Sequence, residues 1–372
     1  MSNKKFLLSL VASAITLTGF SAQAATEEDG FKFGGSVRGN YAYNEFNKDS
    51  ENKYGDFRFD VATINISGKK DDFGIAAEYR FKSGVDFIKY GYGFYDVNDH
   101  MQVQVGLTQV PFGNPGMISN SWWSSIGYYM GFEDHFDMGA KFVYARNGWN
   151  TDIAFFKGSE YSPTEKKSYS ANVFTGEVNG TEYSNEETNQ FNIRQTYTIN
   201  YENGRTILGG SVQGGQLYDS VTKKDGDRFA YALHLDSTYN GWGVQAQAMH
   251  YEFNANQPRD TIALAAGGSA YEIASEAQLY IVNVYKTIPT SFGFVKIYND
   301  FNLLTPEEAQ FSDTYQNATG VAVSAGPIFA QADFVLGKNS WTNGRGPGIG
   351  LAPTTEQNHW DKTFNINVGY YF

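Results

Sequence analysis

The chain has 372 residues, no cysteine, 41% hydrophobic and 18% charged residues, and a formal net charge of −12. The missing cysteine excludes a disulfide framework and any thiolate metal site, and the acidic balance leaves no exposed basic face for a nucleic-acid partner. After residue 24 no apolar run approaches the ~18–20 residues that a membrane helix needs.

Residues 1–24 read as a secretory signal. Lys4 and Lys5 give a short positive start, Phe6 to Phe20 an apolar stretch, and Ala22-Gln23-Ala24 a small-x-small cleavage site. Cleavage starts a mature chain near Ala25, organised as one domain over 25–372. It also removes Lys4 and Lys5, the only charges in the segment, which moves the net charge to −14. The mean hydropathy of −0.43 would suit a soluble secreted protein. A barrel strand, however, gives only half its residues to lipid, so its hydropathy averages out. The 26 Tyr and 29 Phe suit membrane interfaces, and the 40 Gly suit tight turns and crowded walls.

Alternating apolar and polar positions recur along the whole mature chain. They predict strands near 31–45, 56–68, 74–83, 86–97, 101–110, 138–146, 151–157, 190–201, 206–217, 228–239, 242–253, 272–286, 292–302, 316–325, 327–337 and 359–372. In the fifth, Met101, Val103, Val105 and Leu107 alternate with Gln102, Gln104, Gly106 and Thr108. Short connections rich in Asn, Asp, Gly and Pro alternate with a second set: 46–55, 84–85, 111–137, 158–189, 218–227, 254–271, 303–315 and 338–358. The second strand slips phase near Ala62, as a bulge would cause, and 272–286 does not declare which face is out.

The last strand is the clearest. Phe372, Tyr370, Val368, Ile366, Phe364 and Trp360 share one face, and Tyr371, Gly369, Asn367, Asn365, Thr363 and Asp361 the other. A spanning sheet has to close because lipid offers its edges no partners. About sixteen strands enclose an interior too wide for side chains to fill, which predicts an aqueous channel. The face opposite the apolar stripe carries Arg38, Arg80, Lys82, Lys89, Lys141, Arg194, Arg228 and Lys296, joined by Arg58. Fewer acids share it: Glu78, Asp152, Asp236, Asp300, Asp333 and Asp361. A basic wall of this kind concentrates anions.

The connection 111–137 is aromatic in its middle, with Trp122, Trp123, Tyr128, Tyr129 and Phe132, and acidic at its end, with Glu133, Asp134 and Asp137. So many large apolar groups imply packing against something. Folding back into the barrel would bring its carboxylates to the basic cluster. Packing on a neighbouring subunit, or stacking of the rings on sugars, are the alternatives.

The terminal Phe372, some sixteen strands and an inward third loop resemble the trimeric general and specific porins of Gram-negative outer membranes. The stretch Val105-Gly106-Leu107-Thr108-Gln109-Val110-Pro111-Phe112-Gly113 is similar to the run entering the third loop in the phosphate-selective porin O/P family. The resemblance implies an outer-membrane homotrimer set in lipid and lipopolysaccharide, with turns on the periplasmic side and long loops outside. It implies passive diffusion of small hydrophilic solutes without a cofactor or metal. A substrate-specific channel for anions, dicarboxylates or sugars is the alternative, ahead of a barrel enzyme or adhesin. No enzymatic activity is expected: the glycine runs at 209–215 and 344–350 open no helix after a strand, and the five histidines are scattered.

Overall fold

A computed structural model describes residues 30–372; the signal at 1–24 lies outside the described residues. Sixteen antiparallel strands form a closed barrel in chain order. The first eight are β1 (Gly30–Asn44), β2 (Asp56–Lys70), β3 (Phe73–Lys82), β4 (Val85–Asn98), β5 (Met101–Gln109), β6 (Phe136–Arg146), β7 (Trp149–Gly158) and β8 (Asn185–Tyr201). The others are β9 (Gly204–Asp219), β10 (Lys224–Tyr239), β11 (Trp242–Asn254), β12 (Glu276–Thr290), β13 (Gly293–Pro306), β14 (Thr314–Ala325), β15 (Ile328–Lys338) and β16 (Trp360–Tyr371). Every predicted strand is present.

At one rim all seven connections shrink to two residues. Asn147-Gly148 and Asn240-Gly241 turn with φ of 53° and 85° and of 49° and 79°, the left-handed pairs whose twist matches a hairpin. The opposite rim carries the eight other connections, and three are shorter by several residues than the sequence suggested: 159–184, 220–223 and 307–313. There the ladders of the flanking strands continue beyond the last clear alternation. The predicted start at 272 fuses two elements. Thr261–Ala266 and Ser269–Ala274 form a hairpin inside the loop, and β12 begins only at Glu276.

The seam closes between β1 and β16, from Ser36 opposite Tyr371 to Asn44 opposite Thr363. Beyond it, Gly35 N donates to Phe372 O at 3.0 Å and Phe372 N to Gly35 O at 3.1 Å. Along β16 the faces are inverted relative to a soluble sheet. Trp360, Phe364, Val368, Tyr370 and Phe372 are exposed, while Asp361, Thr363, Asn365 and Asn367 are buried inside. The outward surface is apolar over most of its extent, with rings near both rims; Asn299, Asn317 and Thr319 of β13 and β14 interrupt it and bond one another. Trp149 packs on Tyr197 and Tyr201 on Tyr239 by the turns, and Phe155 packs on Phe191 nearer the loops. Aliphatic side chains such as Ile153, Ile193, Val212 and Val244 fill the belt between, which is how a wall facing lipid is built.

The lumen departs from the expected open interior. Ala232, Met249, Leu279 and Leu304 lie level across β10 to β13, and Ala230, Tyr251 and Ala277 form the next row. All are buried in one apolar cluster with Phe112, Ile118, Ile126, Met130 and Phe132 of loop 110–135 and Ile262, Leu264, Tyr271 and Ile273 of loop 255–275. Wall side chains alone cannot fill a sixteen-stranded barrel, but inward-folded loops fill this side of it. The same packing explains why 272–286 resisted a face assignment. Leu279 and Ile281 face the inner core while Tyr280, Val282 and Val284 face outward, so both faces are apolar.

Seam packing is tight. A Cβ on Gly35 would lie 2.4 Å from Thr63 O and 2.7 Å from the Phe372 ring, whereas one on Gly30 meets nothing within 4 Å. Overpacking of this kind costs about 1–3 kcal/mol. Gly35→Ala is therefore expected to lower the temperature at which the folded form survives heating on an SDS gel, and Gly30→Ala to leave it unchanged. Equal behaviour of the two variants would mean that the seam tolerates the extra carbon.

Candidate pore wall and the loop that crosses the lumen

The ladders of β1 to β3 set Ser36, Thr63 and Arg80 in one row and Arg38, Val61 and Lys82 in the next, with Asn40 opposite Arg58. Arg38, Arg58, Arg80 and Lys82 thus share the inner face, with Arg58 and Lys82 exposed there. Two bulges complete the wall. In the first, Arg38 pairs with Val61 and Gly39 with Phe59, leaving Asp60 as the extra residue. This is the phase slip expected near Ala62, two residues away. It turns Asp60 inward, where its carboxylate lies 3.1 Å from Arg38 Nε as an ion pair and accepts from Trp122 Nε1 at 3.2 Å and Asn367 Nδ2 at 3.0 Å. In the second, Glu78 pairs with Tyr90 and Tyr79 with Ile88, so that Lys89 is the extra residue.

Carboxylates balance these cations locally. Arg80 Nε lies 2.6 Å from Glu78 Oε1 and Arg58 3.5 Å from Asp56, each pair on a single strand. Arg80 also lies over the Tyr169 ring at 4.6 Å. The sequence placed the opposing negative charge on the third loop; most of it sits on the wall itself. Lys141 gives its ammonium to Gln109 O at 2.9 Å. Arg194 bonds Asp152 at 3.2 Å and Gly113 O at 2.7 Å, and Arg228 pairs with Glu187. These two arginines are buried under the loops, not ranged along open water as expected.

Loop 110–135 crosses the lumen. Gly113 N donates to Ser211 Oγ and Asn114 N to Gln247 Oε1, while Asn283 Nδ2 reaches Ile118 O. Asp300 then collects Ser119 Oγ, Asn120 N, Asn120 Nδ2 and Ser121 N at 2.6–3.0 Å. Gln331 takes up Asn120 O and Gln316 takes up Ser124 O, and Trp122 ends on Asp60 of the far wall. A short helix follows, Ile126–Tyr129, capped by Ser125.

The aromatic side chains pack within this chain. Trp122 and Trp123 meet edge to face at 5.2 Å, as do Tyr128 and Tyr129. Tyr128 donates its hydroxyl to Tyr169 O, and Tyr129 contacts Trp341, which stacks on Tyr271 at 4.2 Å.

The three acids of the loop end have different fates. Asp134 meets the basic wall: Lys89 Nζ lies at 2.6 Å and Tyr169 donates to the same oxygen at 2.5 Å. Burial alone would raise this carboxyl, but Lys89, Tyr169 and Arg80 outweigh it and hold it below its ordinary value. Asp137 accepts from His135 Nε2 at 3.1 Å and is buried. His135, Asp137 and Glu187 could together hold a metal ion, their donor atoms lying within 4.8 Å of one another, but Arg228 already supplies the positive charge there. Glu133 points into the loop core, not the passage, and neither carboxyl oxygen has a hydrogen-bond partner. Burial pushes it up to about 8.

Sequence reasoning missed Asp60, Tyr169 and Arg345, whose guanidinium pairs with Asp361 at 2.6 Å. The phase slip in β2 was the one signal for Asp60. Tyr169 and Arg345 sit in loops whose return into the barrel leaves no periodic trace.

The Glu133 carboxyl sets a direction for pH. A released loop ionises near the ordinary ~4.3, while the packed loop keeps its proton to about 8. Packing is therefore fully stabilised below the ordinary value and weakens as pH rises towards 8. Glu160, pushed up to about 7 by burial, acts in the same sense. Protease sensitivity of loop 110–135 is expected to rise between pH ~5 and ~8, and Glu133→Gln to reduce that slope. An unchanged slope would assign it to another group.

No protein-family model matches the chain, and no curated protein matches it in sequence. Its fold is similar to that of solved barrels. An anion-selective porin from Comamonas acidovorans gives a TM-score of 0.63 at 10% identity, covering 93% of this chain and 100% of that one. The outer-membrane channel DcaP of Acinetobacter baumannii gives 0.60 at 13% identity, covering 95% and 100%. The outer-membrane protein OmpT of Vibrio cholerae, in its trimer form, gives 0.59 at 11% identity, covering 93% and 100%. At these identities what is shared is the fold: this chain is built as outer-membrane porins are.

Proposed function

We propose that the chain is a channel of the Gram-negative outer membrane for passive diffusion of small hydrophilic solutes, with a mature chain from near Ala25 assembled as a homotrimer. One observation carries the reading. Inside a closed barrel with an apolar exterior, the wall of β1 to β3 stays wet, with Arg58 and Lys82 exposed beside Arg38 and Arg80, while the opposite wall is sealed by loops. Lys82 has no carboxylate within ion-pairing distance among the described residues, so its charge is available to a passing anion. Its neighbours alternate in sign, which orients dipolar solutes. The trimer form of OmpT supports the trimer, and the apolar belt supports contact with lipid and lipopolysaccharide.

A second reading, a substrate-specific channel, is favoured by the loop-filled half of the lumen, which narrows the route below that of an open barrel. The finer likeness to phosphate-selective porins rests on the 105–113 stretch alone. Phosphate is the weaker choice of substrate because the arginines of the wall already hold carboxylates.

Reconstitution in a planar bilayer tests both. Stepwise conductance without solute block fits general diffusion, and block by one class of solute fits the specific channel. Absence of conductance would favour an adhesin or a barrel enzyme. Replacing Arg38, Arg58 and Arg80 with Gln leaves their carboxylates uncompensated, so the reversal potential is expected to move towards cation preference. Lys82→Gln, at an exposed position, is expected to move it the same way by less. A reversal potential unchanged in both would place the route away from this wall.

A further inference from the structure

Outside the lumen, the loop-rim ends of β11 and β12 carry a cluster that the channel reading does not use. Tyr251 and Ala277 are fully buried inside, so alternation puts His250, Glu252 and Glu276 on the outer face. Glu252 and Glu276 are direct partners in the ladder, and like charges opposite one another destabilise a strand pair. Glu307 adds to the patch, its backbone N donating to Glu276 O at 3.2 Å. Among the described residues no Lys or Arg forms an ion pair with these carboxylates. The basic group present is His250, whose Nε2 lies 3.6 Å from Glu276 Oε1. Its ring is held by stacking on Tyr231, centroids 5.3 Å apart and planes 29° apart.

One donor atom from each of His250, Glu252 and Glu276 lies within 4.8 Å of the other two. Tetrahedral ligands about 2.1 Å from a zinc ion are about 3.4 Å apart, so the imidazole and the Glu276 carboxylate already stand near that spacing. We propose that these three residues bind a divalent cation on the outer face of the barrel, with Zn2+ the fitting type. Two carboxylates supply the charge, and the imidazole selects a borderline ion over the hard Mg2+ or Ca2+, which prefer oxygen alone. Three protein ligands leave a further position to water.

The test uses the full barrel in detergent, stripped with a chelator and titrated with Zn2+ by calorimetry. One ion per chain is expected, undisturbed by excess Mg2+. Loss of a ligand is expected to weaken binding at least as much as loss of an outer-shell partner does, about tenfold or more, in both His250→Gln and Glu276→Gln. Unaltered heat-modifiable mobility confirms that the variants fold, and both side chains point away from the lumen core. An isotherm unchanged in the double variant, or Mg2+ competing as well as Zn2+, would overturn the proposal in favour of a diffuse acidic surface.

Discussion

In a bilayer a backbone amide has no water to bond to, so every strand edge has to find a partner within the protein. The seam between β1 and β16 is where this chain meets that constraint. The reciprocal bonds of Gly35 and Phe372 carry the pairing to the last residue, and the seam leaves no edge open. Much else follows. Closure fixes the strand number, strand number fixes the width of the lumen, and alternation then forces apolar side chains out and polar ones in. The buried polar row of β16 is stable because its groups bond one another: Asn365 and Asn367 reach Asn40, Asp60 and Asp333.

Width is itself a problem, because a barrel this large cannot pack its own interior. The chain meets it with loops. Burial of a large apolar side chain contributes about 1.5–3 kcal/mol, and loop 110–135 places six in the inner core. Ordering a loop of that length costs conformational entropy in every residue, so apolar contact needs help. The help is local and polar: Asp300 gathers four donors from residues 119–121, and wall amides hold the loop backbone on several strands. A core of the soluble kind thus sits inside a membrane barrel, with one side of the lumen left wet.

On that wet side, two bulges determine the charge pattern. A bulge inserts one residue into one strand and re-aims a side chain. Here the inserted residues are Asp60 and Lys89, one of each sign, and both turn into the lumen to meet partners that no regular ladder would bring. Asp60 joins Arg38 to Trp122, and Lys89 joins β4 to Asp134. The loop is therefore tied to the wall by charge at two points. Paired charges in a partly buried setting hold position as much as they attract solute, which is why exposed Arg58 and Lys82 matter most for passage.

The sequence by itself determined the barrel. Period-two alternation, turn residues and the aromatic C-terminal strand are local properties, readable wherever one face of a strand meets lipid and the other water. Fifteen of the sixteen strands were legible for that reason, as was the inner-face placement of Arg38, Arg58, Arg80 and Lys82. The slip near Ala62 even pointed to the Asp60 bulge. What only the tertiary structure decided is where the pattern fails. Over 272–286 both faces are apolar, because a loop covers the inner one, and no alternation survives to be read. Glu133 and Asp134 are adjacent in sequence, yet one is sealed in the loop core and the other salt-bridged to the wall. A returning loop obeys no period, so its contacts depend on which distant strands it meets, and those are chosen only when the barrel has closed around it.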